Sequence, residues 1–377
     1  MPVEYRVARS GELGALDALC QACIPVVEPG YFLARFAGDP TILPDGILVA
    51  VEEGRPVASV TAHGFAMRWG TSSFPCGGIA NVVTDPAFRG RGHARALLGR
   101  AHALFAARGW PVSLLSAGIP EFYRPLGYEP VARDMLHVLS LSAPSATPDP
   151  AVRVRPVDWA RDCNTLAAMH DAADAGLTGP LVRATATWDR CRDWTPRYPR
   201  EDPGMALVAE EPAGRPAAYL RAATGTAPGW SSLLETAAWH GAERAVRELA
   251  AAWVRACLAR GIRGIQVPAP CRGFADALKP FAAAATTVRE ETLMLRVPET
   301  ASWLRAVLPH AELATLATAT AALTALPPGP RIEVLMGVRL FSAQAFASRT
   351  RVAERDLVRL DTLLPRRDPV FWDADLF

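Results

Sequence analysis

Residues Ile79–Tyr128 read IANVVTDPAFRGRGHARALLGRAHALFAARGWPVSLLSAGIPEFYRPLGY. Ala80–Thr84 is a strand-like run stopped by the breaker pair Asp85-Pro86. From about Gly92 to Arg108 the residues Leu97, Leu98, Ala101, Leu104 and Phe105 fall on one helical face, and Gly109 ends the helix. Val112–Ser116 makes the next strand. Between the first strand and the helix lies Arg89-Gly90-Arg91-Gly92-His93-Ala94. Glycines there let the backbone turn tightly, so that several N–H groups bear on one point. The helix N-terminus adds positive potential, which suits a phosphate. Arg89 and Arg91 can add charge-assisted contacts. Taken alone, the loop is equally what an ordinary helix start looks like in a chain rich in Arg, Gly and Ala.

Working outward, Val3–Ala8 reads as a strand and Leu13–Ile24 as a helix. Ile47–Val51 and Pro56–His63 read as strands around the turn Glu53-Gly54. The order is a mixed α/β layout. Ala143–Pro150 (APSATPDP) is a Pro/Ser-rich linker, after which the pattern restarts. Val152–Pro156 is strand-like and Asp162–Ala172 helix-like. Met205–Glu210, Arg215–Ala223 and Leu233–Ala237 are strand-like, followed by a long helix Glu243–Arg260 and a strand Ile262–Val267. The second block repeats the order of the first without obvious identity. Beyond Pro298 the chain is mixed, with a turn at Pro327–Pro330, a strand-like Arg331–Met336 and further helix-like pieces. The expected domains are therefore 1–143, 150–297 and 298–377.

Bulk properties narrow the function classes. Net charge is +2 over 377 residues, so charge gives no case for nucleic acid or a membrane surface. No apolar run reaches the length of a spanning helix, and MPVEYRVARSGEL has no signal-peptide core. A cytoplasmic protein is the expectation. The 7 cysteines are irregularly spaced, and Cys20-x-x-Cys23 has no second pair at zinc-ligand spacing. They read as reduced core thiols, and no metal is expected. His63, His93, His102 and His137 form no ligand pattern, and the His93 side chain is expected to face solvent.

The segment resembles the GNAT family of acetyltransferases. The family's signature is Q/R-x-x-G-x-G/A after a V-x-x-x-P strand end. Here Val82-Val83-Thr84-Asp85-Pro86 precedes Arg89-x-x-Gly92-x-Ala94. A second family element, F/I-Y-x-x-x-G-F/Y, is matched by Phe122-Tyr123-Arg124-Pro125-Leu126-Gly127-Tyr128, one helix and one strand later. The resemblance implies acetyl-CoA as co-substrate. Backbone N–H groups of Arg89, Gly90, Arg91, Gly92, His93 and Ala94 would cradle its pyrophosphate. Asn81, Val82 and Val83 would bond the pantetheine arm, with one N–H facing the thioester carbonyl. Tyr123 would protonate the departing thiolate.

Two such blocks in tandem plus a C-terminal piece resemble the enhanced-intracellular-survival (Eis) type, whose second block has lost the CoA loop. Trp239-His240-Gly241-Ala242-Glu243 likewise lacks R-x-x-G-x-A. The resemblance implies tandem GNAT domains plus a small sterol-carrier-like α/β domain. It also implies that the carboxylate of a terminal Phe, here Phe377, acts as general base. The implied reaction is direct acetyl transfer to a primary amine of a small molecule, aminoglycoside- or polyamine-like, in a ternary complex. A homo-oligomer is implied as well. A non-catalytic acyl-CoA sensor and a protein lysine or N-terminal acetyltransferase are the alternatives. Two features depart from the pattern. The C-terminal portion is about eighty residues, short for the family, and Ser116-Ala117 lies two residues further from Tyr123 than the family spacing.

Overall fold

A computed structural model describes residues 2–24, 29–188, 201–224, 228–268, 271–336 and 354–367. Its first strands are β1 (Glu4–Val7), β2 (Ile42–Glu52), β3 (Arg55–Trp69), β4 (Ser72–Thr84), β5 (Ser113–Ser116), β6 (Glu129–Pro130) and β7 (Arg133–Leu141). Then come β8 (Arg153–Pro156), β9 (Thr178–Val182), β10 (Glu201–Glu211) and β11 (Arg215–Thr224). Last are β12 (Trp230–Ala238), β13 (Gly264–Pro268), β14 (Ala282–Glu290) and β15 (Leu293–Arg296). The chain divides into two compact units, one built from 1–131 and 292–367, the other from 132–291.

In the first unit the strands follow the order β1-β2-β3-β4-β5-β15-β6. Alternation along β2 decides what covers each face. Leu48 and Ala50 join a core with Leu97, Leu98, Ala101 and Phe105 of helix α3 (His93–Ala107). Val49 and Val51 point the other way, onto Leu16, Cys20, Phe32 and Phe36. Those residues come from α1 (Leu13–Cys23) and α2 (Tyr31–Gly38). Each Val, Leu or Phe among them contributes about 1.5–3 kcal/mol on burial. Gly77 is required at the centre of this packing, because an added Cβ would sit 2.5 Å from the Phe105 ring.

The helices after β15 belong to this first unit. Thr300–Val307 places Trp303, fully buried, edge-on to Trp69 at 5.5 Å and to Phe74 at 6.3 Å. Trp69 Nε1 donates to Leu335 O at 3.0 Å, and the Arg367 guanidinium lies 4.3 Å from the Trp69 ring. Of Arg331–Met336, read from sequence as strand-like after a turn at Pro327–Pro330, Arg331–Leu335 instead belongs to the helix Pro328–Leu335, with Met336 as its C-cap. Proline in the first helical turn loses no hydrogen bond, so Pro328 starts this helix rather than breaking it. Among the described residues, the stretch expected to be a small α/β domain is helical.

The second unit holds the strand order β14-β7-β13-β12-β11-β10-β8. The helix Glu243–Ala259 buries Leu249, Trp253, Val254 and Cys257 against it. At its centre Glu235 is fully buried and accepts from Arg183, from the Tyr219 hydroxyl at 3.0 Å and from Arg221 at 3.4 Å. Burial pushes its carboxyl up, but the two guanidiniums outweigh this and hold it well below the usual carboxylate range.

Sheet membership changes at points that the composition does not mark. β7 pairs with β13 and β14, so the Pro/Ser-rich stretch 143–150 lies inside the second unit. β15 pairs with β5 and β6, which completes the first sheet. The physical reason is that a linker signal reports solvated backbone, whereas sheet membership depends on which edge offers hydrogen-bond partners.

Candidate active site

β4 and β5 run parallel but pair only at Gly77↔Ser113 and Gly78↔Leu114. Beyond that they part. β4 carries a bulge there: Thr61 faces Ala80 and Ser59 faces Val83, which leaves one extra residue on β4. Asn81 sits at the bulge in left-handed backbone, φ 50, a conformation that Asn tolerates better than most residues. Its side-chain amide donates to Thr61 Oγ1 at 3.2 Å. On the far side, β5 is held by β15, with Leu293↔Ser116 through Arg296↔Ser113. Ala117 N donates to Thr292 O at 2.7 Å. No strand among the described residues closes the opened edge of β4.

A cavity of about 730 Å³ fills this opening. Val82, Val83 and Thr84 line one wall, and Gly118, Ile119, Phe122 and Tyr123 line the other. Arg89, Gly90, Gly92, His93, Ala94 and Arg95 lie at the helix end, and Cys23 and Ile24 close a further side. The expected residues of β4, the loop and the Tyr123 motif are thus brought together, with three qualifications. Asn81 and Arg91 are not among the lining residues. The Arg91 side chain is instead held by Glu52 at 3.1 Å and donates to Ala87 O at 3.3 Å. Phe377 lies outside the described residues.

The loop has the geometry of an anion cradle. Asp85 accepts from Ala87 N at 2.9 Å and shapes the turn after β4. Gly90 and Gly92 then adopt left-handed backbone, φ 77 and φ 85. Gly92 is the N-cap of α3 and no side chain caps the helix, so its first N–H groups are left for a ligand. The first turn contains no acidic residue. It carries exposed Arg95 instead. Acids normally stabilise a helix N-terminus, so a cation there marks a place where the ligand supplies the negative charge. That inversion was readable in the sequence and would have singled out Arg95.

His93 corrects the expectation of a solvent-facing ring, since it is 2% exposed. Its Nδ1 is 3.0 Å from the Tyr5 hydroxyl and its Nε2 3.1 Å from Glu52 Oε1. The physical reason lies in the 3.6-residue period. His93 sits four residues before Leu97 and shares the face that docks on the sheet.

Tyr123 is half-buried, and burial pushes its phenol above the ordinary value. Its ring meets Phe122 edge-on at 5.0 Å and Tyr128 at 6.1 Å. Its hydroxyl makes no hydrogen bond among the described residues, so it is available to a ligand in the cavity. Tyr128 behaves differently. It is fully buried, and its hydroxyl lies 2.9 Å from Ser113 Oγ and 3.1 Å from His102 Nε2. Burial, with the nearby Arg296 charge, pushes the His102 pKa down to about 4, so this imidazole is neutral at pH 7. Tyr128 therefore fastens α3 to β5, and Tyr123 is the hydroxyl that faces the cavity.

Cys20 is fully buried, and burial pushes its thiol up to about 12, which makes it inert. Cys23 donates weakly to Thr84 O at 3.6 Å. Among the described residues no group of three His, Cys, Asp or Glu is placed to hold a metal ion. None of the helices described is long and apolar enough to cross a membrane.

Comparison with known proteins bears on the family and the fold. Residues 4–131 match the family described as acetyltransferase (GNAT) domain. No curated protein sequence matches the chain. Among solved structures, Eis1 from Mycobacterium abscessus superposes with a TM-score of 0.63 at 16% identity, covering 100% of both chains. A GCN5-related N-acetyltransferase from Anabaena variabilis does so with a TM-score of 0.68 at 15% identity, again over 100% of both. N-myristoyltransferase from Saccharomyces cerevisiae, solved with myristoyl-CoA, gives a TM-score of 0.52 at 12% identity over 79% of each chain. At these identities the likeness is one of fold.

Proposed function

We propose that this chain, whose residues 4–131 match the GNAT acetyltransferase domain, moves acetyl from acetyl-CoA to a primary amine of a small molecule. One observation carries the reading. A single cavity joins an uncapped helix N-terminus with left-handed glycines to a phenol whose hydroxyl is unbonded among the described residues. In this reading the N–H groups from Arg89 to Ala94 hold the pyrophosphate, with Arg89 and Arg95 adding charge. Asn81–Val83 bond the pantetheine arm, and one N–H stabilises the oxyanion as the amine attacks. Tyr123 then donates its proton to the departing thiolate.

The amine must lose a proton before it attacks, because a free amine near pKa ~10 arrives charged. Among the described residues the cavity lining contains no Asp or Glu to take that proton. In this reading the carboxylate of Phe377 is the base. The preferred acceptor class is aminoglycoside- or polyamine-like.

The test is CoA release from acetyl-CoA with a panel of amines, on the wild type and on a variant lacking Phe377. Turnover with at least one amine is expected, with a fall of about tenfold or more on removing Phe377, within the range for a lost general base. Binding of acetyl-CoA without turnover on any amine would turn the reading toward a sensor. The loop gives a second check. Gly92→Ala places a Cβ on a left-handed residue at a cost of about 1–2 kcal/mol; the free loop then relaxes out of that conformation and binding must restore it, which lowers CoA affinity by up to about 5–30-fold if the loop holds the pyrophosphate. Space is not the cause, since that Cβ would meet nothing within 4 Å. Equal CoA binding by wild type and variant, measured by calorimetry, would remove the loop from the site.

A further inference from the structure

The Arg89–Ala94 loop is not held by packing around its glycines. An added Cβ at Gly90 or Gly92 would meet nothing within 4 Å. A carboxylate outside the cavity holds it instead. Glu52 ends β2 at a tight hairpin, where Glu53 and Gly54 both adopt left-handed backbone, φ 50 and φ 79, and Glu52 pairs with Arg55. Two central residues of that kind form the turn that best matches strand twist, so the Glu52 backbone is rigidly placed. Its Oε2 accepts from Arg91 Nη1 at 3.1 Å, and its Oε1 lies 3.1 Å from His93 Nε2. Arg91 sits in the middle of the loop, and His93 is the first residue of α3.

The partners of Glu52 are fixed in turn. The Arg91 guanidinium lies 4.6 Å from the Phe88 ring and donates to Ala87 O at 3.3 Å. His93 Nδ1 is 3.0 Å from the Tyr5 hydroxyl on β1. Glu52 thus ties the middle of the loop to β2 through Arg91, while the start of the helix is fastened to β1 by the His93–Tyr5 contact.

We propose that Glu52 is a positioning residue that pre-forms the anion loop, through Arg91, and so sets affinity for the pyrophosphate of a CoA substrate without touching it. This rests on the reading under Proposed function. Two effects of Glu52 oppose each other. Its charge disfavours a nearby anion, but Arg91 already neutralises it at hydrogen-bond distance. Ordering a glycine-containing loop, by contrast, is a cost that a ligand must meet whenever the protein has not met it beforehand. Preorganisation therefore outweighs repulsion.

The experiment is calorimetric titration of CoA into the full chain, with acetyl-CoA kinetics alongside, for wild type, Glu52→Gln, Arg91→Met and the double variant. Glu52→Gln is expected to raise the CoA Kd and the acetyl-CoA KM fivefold or more, while kcat at saturation changes less than twofold. The double variant is expected to bind no more weakly than Glu52→Gln alone, because both changes cut the same link. An unchanged or tighter Kd in Glu52→Gln overturns the proposal, as do effects of the two changes that multiply. If Glu52→Gln fails to fold, Glu52→Asp decides, because it keeps the charge and draws the carboxylate back from Arg91: a fivefold rise in Kd at unchanged kcat supports the link, and an unchanged Kd overturns it. CoA that does not bind the wild type overturns both this proposal and the acetyltransferase reading. CoA that binds wild type and variants equally overturns this proposal only.

Discussion

Tyr123→Phe is expected to lower kcat about 100-fold while leaving CoA affinity within about twofold, the signature of a lost proton donor. The substitution removes one oxygen and keeps the ring, whose edge-on contacts with Phe122 and Tyr128 hold its position. It also leaves no partner unsatisfied, because the hydroxyl makes no hydrogen bond among the described residues. The pH dependence follows from the direction of the shift. Burial raises the phenol above its ordinary value of 10.0, so Tyr123 keeps its proton throughout the neutral range. Loss of activity through its ionisation therefore belongs above about pH 10, and an alkaline limb near neutrality must come from another group. Single-turnover CoA release with the best amine of the panel checks this. A Phe variant that retains more than half of the wild-type kcat would exclude Tyr123 as the acid.

Trp303→Ala is expected to destabilise the first unit by about 3–5 kcal/mol, or about 6–20 °C in Tm. Trp303 is fully buried and fills the space against Trp69 and Phe74. It lies in a helix that the sequence assigns to a separate C-terminal domain, yet it packs on β4, the strand that forms one wall of the cavity. Acyl-CoA binding should therefore disappear in the same thermal transition that Trp303→Ala lowers. Trp303→Phe should cost markedly less. Trp303 Nε1 is buried with no hydrogen-bond partner among the described residues, and replacing the indole by a phenyl ring relieves that penalty while keeping most of the volume. Calorimetry with and without CoA checks both variants. A transition in Trp303→Ala that lowers Tm without moving the loss of CoA binding would show that the helix is not part of the CoA-binding unit.

The chemistry-bearing segment was legible because its signals are local. Gly90 and Gly92 turn left-handed where the sequence demands a turn into a helix. Leu97, Leu98, Ala101 and Phe105 face the sheet as their spacing requires. The observed helix, His93–Ala107, lies within one residue of its expected ends. Arg95, Cys23 and Ile24 were less legible as cavity residues. Cys23 and Ile24 reach it from the end of α1 by way of the sheet, some sixty residues before Thr84 in the chain.

Sequence alone determined the fold class, the order of the main strands and helices it marked in each block and the position of the glycine turn that opens α3. Each depends on periodicity, breakers and glycine backbone, and those act over a few residues. Tertiary structure decided which strand closes which sheet. β7 lies within the expected first block yet joins the second sheet, and β15 lies within the expected second block yet sits between β5 and β6. It also decided that Arg91 is drawn to Glu52, that the His93 ring is buried, and that Arg331–Met336 is largely helical. Strand exchange and a carboxylate 39 residues away in the chain leave no local trace. Backbone edges and side-chain charges find their partners in space, and a pattern read along the chain records only what neighbours in sequence impose on each other.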